Sequence, residues 1–112
     1  MYQPGDVVLC KFPFRQDPSQ FTVRPALVMR VINNWISYKL AQITSTDRRD
    51  KLCGAWIKQK SNEGMKMRLR NDSFINLSNI LEVPAFGISR LLGNCPVMAD
   101  LEKICVNHGI KY

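Results

Sequence analysis

The residues of this 112-residue chain that could do chemistry are mostly cations and hydroxyls. Arg24 stands between a polar stretch and Pro25. A guanidinium carries several directed donors and grips a phosphate through two at once, so an arginine at a stiff loop-to-strand junction suits a phosphate clamp. Thr44 and Ser45 end an apolar run with short hydroxyls, which donate and accept hydrogen bonds but are poor bases at neutral pH. Lys66, Arg68 and Arg70 alternate with Met67 and Leu69, so an extended backbone sends the cations one way and the apolar side chains the other. A solvated strand face is the simpler account of these cations, with RNA lining as the alternative. Metal chemistry would have to use Cys10, Cys53, Cys95, Cys105 and the one histidine, His108. No two of the cysteines form a C-x-x-C pair, and zinc ligands usually come in close pairs, so the spacing points away from a metal site.

Composition bounds what these residues can serve. Sixteen Lys and Arg against nine Asp and Glu leave a formal charge of +7, which favours a polyanionic partner such as nucleic acid, an anionic membrane surface or an acidic protein. A hydrophobic share of 46% is that of a folded chain, and its length allows one domain over residues 1–112 with a modest core. No stretch approaches the roughly 20 apolar residues of a membrane span. Met1 to Asp6 resembles no secretory leader, so the expected compartment is the cytoplasm, with reduced thiols. Cys10 and Cys105, in apolar surroundings, read as small core residues.

The elements that must position these groups are mostly strands. Val7 to Phe12 is a β-branched and aromatic run after a Pro4-Gly5-Asp6 turn. Pro13 to Val23 is polar and reads as a loop, followed by an apolar strand from Pro25 to Ile32 with Pro25 at its start, since proline has no amide hydrogen to donate. Asn33-Asn34 is a hairpin turn into Trp35–Thr44, and Asp47 to Lys51 is a charged loop. Short strands are expected around Gly54–Lys58, Ser73–Leu77 and Ile80–Val83, with a turn at Ser61–Gly64. Asp72-Ser73 reads as a turn held by its own side chains rather than as a catalytic pair. Near the end the period changes. Val97, Leu101, Ile104, Cys105 and His108 recur at helical spacing, with Asn94 or Cys95 as cap and Gly109 as stop. His108 on that face is expected to be partly buried and structural. Five to seven short strands leave too many edges for an open sheet, so a compact small barrel with a C-terminal helix, and room for one or two short helices, is the expected fold.

Several motifs fall in an order that resembles the MazF/PemK toxins. They are Pro4-Gly5-Asp6-Val7-Val8-Leu9 with Phe12-Pro13-Phe14, then Arg24-Pro25-Ala26-Leu27-Val28, then Ala41-Gln42-Ile43-Thr44-Ser45. Leu69-Arg70-Asn71-Asp72-Ser73 and Ser89-Arg90-Leu91-Leu92-Gly93 follow, the latter leading into Leu101 to Ile104. The resemblance covers nearly the whole chain. It implies an SH3-like barrel, a homodimer, a cognate antitoxin partner, and cleavage of single-stranded mRNA without metal or other cofactor, by attack of a ribose 2′-hydroxyl on the adjacent phosphate.

The resemblance also implies roles. Arg24 and Thr44 match paired active-site positions of the family, Arg24 stabilising transition-state charge and Thr44 positioning the phosphate or the 2′-oxygen. Ser45 is a further candidate for the same task, and no general base is assigned. Arg15, Gln20 and Phe21 of the first loop, and Arg48, Arg49 and Lys51 of the loop after Thr44, are the candidates for gripping RNA. Phe21 either stacks on a base, a contact worth roughly 1–3 kcal/mol, or folds over the barrel mouth. The stretch from Asn76 to Phe86 departs from the family pattern. That departure keeps open a barrel that holds RNA or an acidic peptide and cuts nothing, or an inactive toxin homologue.

Overall fold

A computed structural model describes residues 1–13, 17 and 19–112 of the chain. Strand β1 (Asp6–Pro13) follows a turn at Gly5, whose φ of +97° suits a residue without a Cβ. β2 (Phe21–Ile32) and β3 (Ser37–Thr44) form a hairpin whose turn holds Asn33 and Asn34 at φ 48° and 54°, the left-handed region that asparagine tolerates. The short β4 (Gly54–Ile57), helix α1 (Asn62–Lys66), β5 (Ser73–Pro84), a single 3₁₀ turn (Ala85–Gly87), β6 (Ile88–Asn94) and helix α2 (Met98–Asn107) complete the order. The strands make one six-stranded antiparallel sheet in the order β4-β5-β3-β2-β1-β6.

A short connection forces this sheet to curl. β5 and β6 lie four strand spacings apart in the sheet order, about 19 Å if it were flat. Pro84 and Ile88 are joined by only Ala85–Gly87, and even a fully extended link of that length reaches about 14 Å. The sheet must therefore roll until β5 approaches β6, and register shifts in the β1–β6, β2–β3 and β3–β5 ladders supply the local bends.

Alternation along the strands then sorts side chains into two cores. Val8, Cys10, Phe12, Ala26, Val28, Tyr38 and Leu40 fill the inside of the roll together with Val83 of β5 and Ile88 of β6. Val7, Leu27, Met29, Ala41 and Ile43 face the other way, under Met67, Leu69 and the Leu101 and Cys105 face of α2. The result is a mainly β fold with a C-terminal helix, as the strand count and the helical period near the end predict.

Several expectations change in detail. β2 begins at Phe21 rather than Pro25, because Pro13 to Val23 is partly strand: Phe21 to Arg24 pair with β1. Pro25 is accommodated inside this strand because the β2–β3 ladder reaches only to Ala26, leaving Pro25 with β1 as its one strand neighbour. The two expected strands after Ser73 are one continuous β5. Lys66 to Arg70 is not extended. Ser61 caps α1 by accepting the Gly64 amide at 3.0 Å, and the chain leaves the helix through Arg68 at φ 59°. The alternation nonetheless sorts inside from outside, with Met67 and Leu69 buried and the cations exposed. Neither Asn94 nor Cys95 caps α2; Val97 occupies that position without a side-chain bond, and His108 at the far end is exposed rather than partly buried. No helix among the described residues is long and apolar enough to cross a membrane.

Burial sets the chemistry of the thiols. It pushes the Cys10 thiol from an ordinary 9.0 up to about 11, and raises Cys95 and Cys105 as well. Between 9.0 and about 11 the native protein holds a Cys10 proton that the unfolded chain has released, so stability falls as pH climbs through that window. Below it, Cys10 makes no pH-dependent contribution. Urea midpoints measured across this range should decline, and the share due to Cys10 should be absent in Cys10→Ala.

Candidate active site

The β2–β3 ladder ends at Ala26 and Gln42. Beyond that pair the strands part, but each stays tied to its outer neighbour. Arg24 is paired with Cys10 of β1, and Thr44 with Phe74 of β5. Continuing the ladder's count by two residues aligns Arg24 with Thr44 across the fork. A cavity of about 550 Å³ opens there, and Arg24, Thr44 and Ser45 all line it.

The remaining walls come from distant parts of the sequence. Arg90 of β6 is aligned with Leu9 of β1, which is aligned on its other side with Pro25, so the pairing of β6 with β1 brings Arg90 to the same opening. Arg68 and Arg70 come from the turn after α1, where burial of Met67 and Leu69 leaves the intervening cations outside. Gly93 fixes that turn: a Cβ added there would stand 2.6 Å from the Lys66 carbonyl oxygen and 2.7 Å from the Met67 carbonyl carbon. The backbone carrying Arg68 therefore rests directly on β6. Val7, Leu9, Ile43, Met67 and Leu92 supply apolar lining.

Four guanidinium groups thus surround one cavity, and no Asp or Glu is among the described residues that line it. The ion pairs among the described residues, Lys39–Glu82 and Arg49–Asp47, leave all four free. Such a concentration of like charge over a partly apolar floor raises a positive potential that an anion would relieve. Hydroxyls and an amide stand among the arginines at Thr44, Ser45, Thr46 and Asn71. The Thr44 hydroxyl oxygen accepts the Thr46 amide at 3.3 Å, which orients it and leaves its proton to donate. Buried Ser73 donates to the Asn71 carbonyl at 2.8 Å, as expected of a turn, whereas Asp72 accepts the Gln59 amide 13 residues away. No carboxylate or imidazole among the described residues lines the cavity. What the arrangement offers is a multidentate grip on a phosphate and stabilisation of added charge on its oxygens. Among the described residues no group of His, Cys, Asp and Glu clusters in the manner of a metal site.

The candidate RNA-gripping residues are more scattered. Arg15 lies outside the described residues. Gln20 and Phe21 are exposed but do not line the cavity; the Phe21 ring carries the Lys11 ammonium 5.2 Å from its centroid. Arg48, Arg49 and Lys51 are exposed on the loop after β3 and also stand apart from it, Arg49 being forked onto Asp47 with its shortest contact at 2.7 Å. That bond holds the Asp47 carboxyl below its ordinary range. Arg68, Arg70 and Arg90 are the cavity residues that sequence reasoning did not assign. The alternation from Lys66 to Arg70 carried a usable signal for the first two. Arg90 had none, because it reaches the cavity only through the long-range pairing of β6 with β1.

The packing at Gly93 gives a direct check. Gly93→Ala must push the Met67 turn away from β6, and overpacking of this kind costs about 1–3 kcal/mol. Equilibrium urea unfolding should show a loss of that size, whereas an unchanged midpoint would mean the turn does not rest on β6.

No protein-family model matches the chain, and no curated protein sequence matches it. Solved structures do: 24 chains match, among them an endoribonuclease in complex with its cognate antitoxin from Mycobacterial species, at 15% identity and a TM-score of 0.65. That alignment covers 100% of this chain and 99% of the other, so the chain shares its fold with that endoribonuclease over its whole described length.

Proposed function

We propose that the protein is a toxin-type endoribonuclease that cuts single-stranded mRNA and is held in check by a cognate antitoxin. The observation that carries this reading is the convergence of Arg24, Arg68, Arg70 and Arg90 with Thr44 and Ser45 at one strand fork. The fold likeness to an antitoxin-bound endoribonuclease and the order of the sequence motifs support it.

The cavity suits attack by a ribose 2′-oxygen on the adjacent phosphorus. The new O2′–P bond forms as the P–O5′ bond breaks, the 2′-hydroxyl proton leaves, and the departing 5′-oxygen takes up a proton. Arg24 clamps the non-bridging oxygens and offsets the charge they gain in the pentacoordinate state. Thr44 and Ser45 direct hydrogen bonds at the phosphate or the 2′-oxygen and hold the in-line geometry. Arg68, Arg70 and Arg90 add to the field and seat neighbouring phosphates. With no proton acceptor among the described residues of the lining, positioning and charge stabilisation carry the rate, and proton transfers go through solvent or substrate. Metal independence belongs to the same proposal, since no two cysteines form a C-x-x-C pair and the described residues bring no His, Cys, Asp and Glu together as a ligand set. So does a homodimer: Phe21, Val23 and Leu91 expose apolar surface on the strands flanking β1.

The lack of a proton acceptor among the described lining residues also favours a second reading, a barrel that grips RNA without cutting it. Cleavage of single-stranded RNA in excess EDTA separates the two. Arg24→Ala, at an exposed position, should keep the fold by circular dichroism and lower the cleavage rate by about 10²–10³, the usual effect of deleting one transition-state donor. Cleavage that needs magnesium, or that survives this substitution, contradicts the mechanism. Loss of any one cavity arginine that meets a phosphate should also flatten the slope of log affinity against log salt by about 0.7.

A further inference from the structure

A second depression, of about 730 Å³, adjoins the arginine cavity and shares Ser45 and Asn71 with it. Its chemistry is different. Trp56 of β4 lines it, together with Lys58, Lys60, Gln59 and Asp72. The Arg49 guanidinium stands 5.7 Å from the centre of the indole ring and is forked onto Asp47 at 3.1, 3.1 and 2.7 Å. A planar aromatic with a guanidinium against it is a stacking platform that also carries positive charge for the neighbouring backbone. In the wall beside it Asp72 accepts the Gln59 amide at 2.8 Å and so ties the segment after β4 to the one before β5.

We propose that this depression is a nucleobase subsite, in which the base next to the phosphate held by Arg24 stacks against Trp56. The proposal rests on the ribonuclease reading of the neighbouring cavity and names what flanks the scissile bond. The carboxylate of Asp72 argues for a base rather than a second phosphate, since it repels an anion but accepts from the amino edge of a base. Asn71 and Gln59 add donors and acceptors to the same lining, and the exposed Lys58 and Lys60 can meet the backbone where it leaves the site. The pattern is visible in the sequence as Trp56, Lys58 and Lys60 at alternate positions, although only the shared wall with the arginine cavity gives it meaning.

Fluorescence anisotropy with a single-stranded 2′-O-methyl RNA decamer, which lacks the attacking hydroxyl, reads this subsite without cleavage. A scan of decamers carrying one abasic position each locates the stacked base. Trp56→Ala should weaken binding of the intact decamer about tenfold, in line with one lost base–aromatic stack, while Trp56→Tyr should retain most of the affinity. One abasic position that costs the wild type about tenfold should cost Trp56→Ala nothing, because the stack is already gone. Unchanged affinity in Trp56→Ala, or an abasic penalty that persists at every position in that variant, overturns the subsite. If that happens while unmodified RNA is still cut, the nuclease reading stands alone. If stacking is seen but the wild type cuts no RNA, the subsite stands and the nuclease reading falls; no binding by the wild type overturns the subsite, and no cleavage of unmodified RNA beside it overturns both.

Discussion

The three-residue link between β5 and β6 is the constraint on which the site depends. It is too short to cross a flat sheet, so the sheet rolls, and every later feature follows from that roll. β6 comes to lie beside β1 and brings Arg90 to the fork where β2 and β3 separate. Gly93, on the same strand, then receives the turn that carries Arg68. Two cores back the sheet, one inside the roll and one beneath α2, so the strands that hold Arg24 and Thr44 are packed on both faces. A grip on a small ligand needs that stiffness, because small displacements of a clamp lose much of its effect.

Charge is the second organising element. The chain's surplus of +7 is not spread evenly, since four guanidiniums meet at one cavity without a carboxylate among its described lining residues. The two ion pairs among the described residues lie elsewhere: Arg49 is forked onto Asp47 and Lys39 stands 3.8 Å from Glu82. Like charges brought together in this way repel one another, a cost that a bound polyanion removes. Arginine rather than lysine at all four cavity positions fits a directed, multidentate grip on phosphate oxygens better than a diffuse attraction.

Much of the fold was legible because alternation and period are local properties. The runs from Val7 and Pro25, the Asn33-Asn34 turn and the Leu101–Cys105 face each carry their own instruction. Less legible were features set by neighbours. Pro25 sits inside β2 only because β3 has already parted from it, and the buried–exposed alternation from Lys66 to Arg70 occurs in a helix exit rather than a strand. Arg24, Thr44 and Ser45 were legible through their motifs, and the structure brings them together. Arg90 and Trp56 were not, because their roles come from strand order and a shared wall that no local pattern encodes. His108 went the other way: its helical spacing is real, but it falls at the end of α2, past the part that packs.

Under the proposed function, the arginines at the strand fork drive a 2′-oxygen onto the neighbouring phosphorus. The new chain ends left on a single-stranded RNA cut in excess EDTA test that claim most directly, read by mass spectrometry of the fragments. Attack by the 2′-oxygen leaves 2′,3′-cyclic phosphates, or their opened monoesters, facing free 5′-hydroxyls. Fragments bearing 5′-phosphates and free 3′-hydroxyls would show that water or another nucleophile attacked from the opposite side, and would contradict it.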